Sequence, residues 1–177
     1  AGAPGQRRGL FGQKRNRENH LSPLGGCMKH FVILAIILIF VSGSAWGQKA
    51  VSKADILLNP EWKKIYDAYR PDAELIENLK NRAAELKADV YFAYWCDDSK
   101  HHVPVFLKIL DTLNVPEFKV NFYEVEKKAT ADQKFYVEDL MVEKVPTFIF
   151  YADDFEMGRI VENPKNSILQ DMMIIVF

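Results

Sequence analysis

The chain has 177 residues, 49% of them hydrophobic and 27% charged, with 23 basic and 24 acidic side chains and a net charge of −1. Such a composition belongs to a globular protein of one domain with appendages. It excludes a disordered, collagen-like or low-complexity chain.

Residues 1–27 open on Ala1, show no periodicity and gather Arg7, Arg8, Lys14, Arg15 and Arg17. They read as an unstructured leader upstream of the true start, Met28. Residues 28–47 then have the parts of a secretory signal peptide: a basic start at Lys29 and His30, an apolar run from Phe31 to Val41, and the small residues Ser42, Gly43, Ser44, Ala45 and Gly47. Cleavage is expected before Gln48 or after Ala45. The run is shorter than the roughly 20 residues that span a bilayer, so membrane contact is expected only if the segment stays uncleaved as an anchor. The expected location is the periplasm or the exterior of the cell. Residues 1–47 hold six basic residues and one acidic residue, which leaves the rest of the chain near −6. That balance argues against a nucleic-acid partner. It also leaves one cysteine, because Cys27 lies in the removed part and only Cys96 follows it. A lone cysteine in an exported domain forms no internal disulfide, so it is a free thiol, a site of intermolecular exchange, or an inert buried residue.

Residues 48–71 read as an N-terminal extension. Gln48 to Asp55 looks like a flexible lead-in. Asn59 and Pro60 carry a helix start, a capping side chain followed by proline in the first turn, and Trp62, Ile65, Tyr66 and Tyr69 follow at helical spacing. Arg70-Pro71 ends that helix. A second helix is expected from about Asp72 to Leu86. The stretch from Ala88 to Trp95 is apolar, β-branched and aromatic, as in a central strand buried on both faces. It runs into Cys96 and a helix from about Ser99 to Leu113, kinked at Pro104. A strand over 119–125, a helix over about 131–140, a strand over 146–151, a turn over 152–155, a returning strand over 156–161 and a last helix over about 164–175 complete the order. Gly158 reads as a backbone requirement of the hairpin or strand. The whole predicts an α/β fold, a central mixed β-sheet with helices on both faces and an extra N-terminal helix.

Four separated motifs occur in this order: Trp95-Cys96-Asp97-Asp98-Ser99, the helical Pro104 eight residues after the cysteine, Val145-Pro146-Thr147 before a strand, and Gly158-Arg159-Ile160-Val161-Glu162-Asn163-Pro164. Over residues 72–177 they resemble the thioredoxin-like superfamily. They are most similar to exported bacterial members with Cys-x-Asp-Ser in place of Cys-x-x-Cys. The resemblance implies a thioredoxin-like fold over 72–177, Cys96 as nucleophile, Ser99 in the place of the second cysteine, and a cis Val145-Pro146 facing the thiol. It implies that Val145 and Pro146 dock an extended substrate beside Trp95. The partner would be a protein thiol or disulfide, or a low-molecular-weight thiol, handled by a monomer without a cofactor.

The residues themselves set limits on that chemistry. A cysteine where a buried strand enters a helix lies near backbone N–H groups that favour a thiolate, whereas Asp97 and Asp98 oppose it. Ser99 cannot resolve a mixed disulfide, although its hydroxyl is able to donate a hydrogen bond to the Cys96 sulfur. The site is therefore read as a possible oxidoreductase or isomerase working by monothiol exchange, or as a redox-inactive binding domain. The buried acid that many thioredoxins place six residues before the nucleophile is Val90 here, and Asp89 points to the opposite face of the strand. Cys96, Asp97, Asp98, His101 and His102 are all potential ligands, but their spacing matches no standard metal site. No metal is expected.

Overall fold

The computed structural model describes residues 48–128, 130 and 132–177, and these belong to one compact unit. The leader and signal segment expected over residues 1–47 lie outside the described residues.

The sheet is mixed and five-stranded, in the order β1-β3-β2-β4-β5. Its strands are β1 (Gln48–Val51), β2 (Leu86–Phe92), β3 (Lys119–Val125), β4 (Thr147–Ala152) and β5 (Phe155–Val161). β2 and β3 are parallel, joined by the long helix between them, and every other pairing is antiparallel. The helices are α1 (Lys53–Ile56), α2 (Pro60–Ala68), α3 (Ala73–Ala83), α4 (Asp97–Leu113) and α5 (Ile168–Val176).

Residues 48–71, read from the sequence as an appended piece, belong to the same sheet and core as the rest. Gln48–Val51 is no lead-in but an edge strand, paired from Gln48↔Val125 to Val51↔Phe122. Ser52 then caps α1 by accepting the Asp55 N–H at 3.1 Å. In α2, Asn59 Oδ1 accepts from Glu61 N at 3.0 Å, and Pro60 occupies the first turn. Trp62 is 1% exposed and packs its ring 5.6 Å from Phe92 and 4.9 Å from Tyr94. Asp72 caps α3 through the N–H groups of Glu74 and Leu75.

One expectation fails in an instructive way: no helix forms over the described residues of 131–140. The described residues between β3 and β4 cross the sheet as a loop, closed by an isolated bridge between Val137 and Val142. Lys128 Nζ ties it by donating to the carbonyls of Lys134 (2.6 Å) and Glu143 (2.9 Å). The sheet is mixed and flanked by helices, as expected, and the described helices gather on one of its faces. Phe106 of α4 meets Phe148 and Phe150 on one face. Ile175 of α5 approaches that face so closely that a Cβ on Gly158 would stand 3.2 Å from it. Trp62 of α2 and Ile76, Leu79 and Ala83 of α3 join the same core. Among the described residues, the opposite face is covered by the loop, through Tyr136, Val137, Leu140 and Val142 against Tyr91, Ala93, Val125 and Ile149. The apolar spacing that reads as a helical stripe is satisfied here by a loop lying flat on the sheet.

Smaller shifts concern element ends. Leu86 opens β2 instead of closing α3, and β2 ends at Phe92. Asp153 and Asp154 make the β4–β5 turn with φ of 49° and 65°, the twist that suits a two-residue hairpin. α5 starts only at Ile168, because residues 164–167 form a loop held by the buried Asp171 carboxylate. That carboxylate accepts from Lys165 N, Asn166 N and Asn166 Nδ2. Val90 lies fully in the core, while Asp89 sits on the other face and accepts from Asn121 Nδ2 at 2.9 Å. Burial first, and then Asp89, raise the Tyr91, Tyr123 and Tyr151 phenols above their ordinary range.

Candidate functional site

β2 delivers the chain to a tight turn. The Cys96 N–H donates to the Ala93 carbonyl at 3.2 Å, and Lys100 N closes the first turn of α4 on the Cys96 carbonyl at 3.0 Å. Cys96 is therefore the N-cap residue of α4, with φ −98° and ψ 124°, and its side chain caps nothing. The helix begins at Asp97, two residues before the expected Ser99, so both aspartates lie in its first turn. The first N–H groups of a helix have no partner within it.

The thiol is half-buried and free of any disulfide. Its Sγ donates to the Val145 carbonyl oxygen at 3.1 Å. Val145-Pro146 is a cis peptide bond. The loop that carries it is braced at both ends: Glu162 N donates to the Pro146 carbonyl at 2.7 Å, and Thr147 Oγ1 donates to the Lys144 carbonyl at 2.7 Å. The structure thus brings Cys96, which follows Trp95, against the Val145-Pro146 loop 49 residues further along the chain.

Ser99 stands elsewhere. It is fully buried, and its Oγ accepts the Ala93 N–H at 3.2 Å. The hydroxyl fastens the end of β2 to the first turn of α4, while the sulfur takes Val145 as its partner. Trp95 is 42% exposed and turns its ring toward Tyr136, 6.0 Å away between centroids. Asp97 is exposed and Asp98 half-buried. His101 and His102 stand edge to face at 5.0 Å, and His102 Nε2 is 2.9 Å from Asn163 Oδ1. The helix start is a polar, hydrogen-bonded surface.

Sequence reasoning missed Tyr136, Lys127 and Lys128. Tyr136 packs in the small cluster that includes Cys96. Burial, and secondarily the neighbouring Cys96 sulfur, push its phenol above the ordinary tyrosine value. Lys127 Nζ stands 5.5 Å from the centre of the Trp95 ring, and Lys128 Nζ 4.5 Å from that of Tyr136. Nothing in the local sequence marks these three: Tyr136 falls in the stretch that reads as a helix, and Lys127 and Lys128 precede it without a motif.

A family model described as thioredoxin matches residues 48–174. No curated protein matches the chain. Among solved structures, the chain is similar to a Pseudomonas aeruginosa protein of unknown function, with 19% identity, 59% of this chain and 61% of that one covered, and a TM-score of 0.43. It spans under two thirds of that protein. An HIV epitope-scaffold is similar at 18% identity, over 66% of this chain and 70% of that one, with a TM-score of 0.43. A chain of the ferredoxin:thioredoxin reductase and thioredoxin f2 complex is similar at 14% identity, over 59% of this chain and 86% of that one, with a TM-score of 0.33. The family match begins at the first residue of β1 and ends within α5, so it takes in the whole sheet, the cysteine turn and the proline loop: the chain belongs to the thioredoxin family.

Proposed function

We propose that this is an exported thioredoxin-fold protein that performs single-thiol disulfide exchange through Cys96, in the periplasm or outside the cell. The observation that carries the reading is the half-buried Cys96 sulfur at the start of α4, 3.1 Å from the backbone carbonyl of Val145 and beside Pro146.

In the proposed step the Cys96 thiolate attacks one sulfur of a disulfide R–S–S–R′. The Cys96–S–S–R bond forms as the S–S bond of the partner breaks, and R′–S⁻ leaves with the electron pair and takes up a proton. While Cys96 is a thiol, its S–H occupies the Val145 carbonyl. Once the sulfur is in a mixed disulfide it donates nothing, and that carbonyl is available to a backbone N–H of the bound polypeptide. Trp95 offers an apolar face beside the sulfur. Because position 99 holds a serine, the adduct persists until a second, external thiol attacks it. The motif Cys96-Asp97-Asp98-Ser99, read with the signal segment, supports placing the chain among exported members with Cys-x-Asp-Ser.

The experiment is single-turnover exchange with a fluorescent peptide disulfide, using the full chain with Cys27→Ser. Stoichiometric release of the leaving thiol, abolished by Cys96→Ala, supports the reading; no release from the folded protein overturns it. A second reading, a redox-inactive domain that binds polypeptides, draws on Ser99 being committed to Ala93 and on Val90 filling the place of the buried acid. Under that reading, binding of an extended peptide survives Cys96→Ala unchanged.

A further inference from the structure

The loop side of the thiol carries two cations, Lys127 and Lys128, that form no ion pair among the described residues. Lys127 is exposed, and its contact is with the face of Trp95; among the described residues it has no ion-pair partner. Lys128 is half-buried, lies over the Tyr136 ring, and spends its hydrogen bonds on two backbone carbonyls, which leave its charge uncompensated. Their neighbours on the same loop are different: Lys134 pairs with Glu143 and Lys144 with Glu162. The two rings under these ammonium groups lie 6.0 Å apart, tilted by 42°, and Tyr136 packs in the cluster that includes Cys96. On the helix side stand Asp97 and Asp98, with Lys100 already paired to Glu61. The thiol thus lies between an acidic helix start and a basic aromatic wall.

We propose that Trp95, Tyr136, Lys127 and Lys128 form a subsite for a carboxylate, so that Cys96 exchanges preferentially with disulfides bearing an acidic group next to the reacting sulfur. This rests on the exchange reading above. The recognition is electrostatic and aromatic together. An anion on the partner meets the ammonium groups, and a flat or apolar portion lies against the indole and phenol. Lys127 is the adjustable member, because Lys128 is fixed by the fold. The carboxylates at 97 and 98 repel the same anion if it approaches from the helix side. The partner is therefore oriented with its acidic end over the loop.

The test uses the full chain with Cys27→Ser and three disulfide probes of different charge: anionic dithiobis(nitrobenzoate), neutral dithiodipyridine and cationic cystamine. Each rate is divided by that of a small free thiol with the same probe, which removes intrinsic reactivity. At low ionic strength the normalised preference for the anionic over the neutral probe is expected to be about threefold to tenfold, and to shrink as salt is added. Lys127→Glu is expected to abolish or invert it. Lys87→Ala, at the far end of β2 and paired with Asp154, is expected to leave the ratio in place. Equal normalised rates for all three probes, a preference for cystamine, or a ratio indifferent to Lys127→Glu overturns the subsite while leaving exchange intact. Failure of the native protein to react even with the neutral probe overturns the exchange reading itself, and the subsite with it.

Discussion

At the scale of single residues, Cys96 and Ser99 separate two jobs that a dithiol site combines. The sulfur faces the Val145 carbonyl, and the serine hydroxyl braces the turn that presents the sulfur. Ser99→Ala leaves the buried Ala93 N–H without a partner and is expected to cost about 1–3 kcal/mol in denaturant unfolding, with Cys96 still reactive. Ser99→Cys restores a thiol three residues after the nucleophile. It is expected to convert a stoichiometric reagent into a catalyst of insulin disulfide reduction, measured as turbidity against time with a recycling reductant. Cys96 and its turn were legible in the sequence because strand, turn and helix start are contiguous there. The partner of Ser99 was not, since it depends on the rotamer that the packed turn imposes. Tyr136 and the two lysines were hidden for a different reason: they reach the thiol across a loop whose path the sheet decides.

At the scale of elements, α2 and its contacts show how the extension is held. Tyr66 hydrogen-bonds to Asp111 of α4, and Lys53 of α1 pairs with the same carboxylate. Lys63 and Lys108 stand over the Tyr66 ring. The Asp111 hydrogen bond first, and then burial, push the Tyr66 phenol up to about 12 from its ordinary 10. A raised folded-state value means that this contribution is complete below pH 10 and is lost as pH rises toward 12. Tyr66 is largely solvated, so the effect is small, under about 1 kcal/mol. In chemical unfolding at stepped pH, Tyr66→Phe is expected to flatten the decline over that window. The starts of α2 and α3 were readable because Asn59-Pro60 and Asp72 are local signals of capping. The four-residue β1 was not, because its register is set by β3 and by nothing within Gln48–Val51. The stretch around 131–140 misled because Tyr136, Val137 and Leu140 bury themselves just as well from a loop as from a helix.

At the scale of the whole molecule, among the described residues, one face of the sheet carries the four longer helices and the other carries the loop between β3 and β4. This one-sided layering leaves the thiol, the proline loop and the aromatic wall at the same end of β2. Ile56 and Trp62 are buried in the larger of the two core clusters and β1 pairs with β3, so residues 48–71 are expected to be indispensable. Trp62→Ala removes a fully buried indole and is expected to cost about 3–5 kcal/mol, read from the unfolding midpoint at constant slope. Deletion up to residue 71 is expected to leave a protein without a cooperative unfolding transition. An independently folding 72–177 fragment would contradict this. Layer order was the least legible feature of all, because strand and helix counts fit either one covered face or two.

The central claim is that Cys96 is a nucleophile poised for exchange and lacking an internal partner to complete it. The most direct measurement is intact mass of the folded full chain, with Cys27→Ser, after incubation with a peptide disulfide. The account predicts a single adduct on Cys96, equal to one peptide thiol, that persists after the free peptide is removed and disappears only when an external thiol is added. An adduct that forms only in denaturant, or one that the protein releases unaided, would contradict it.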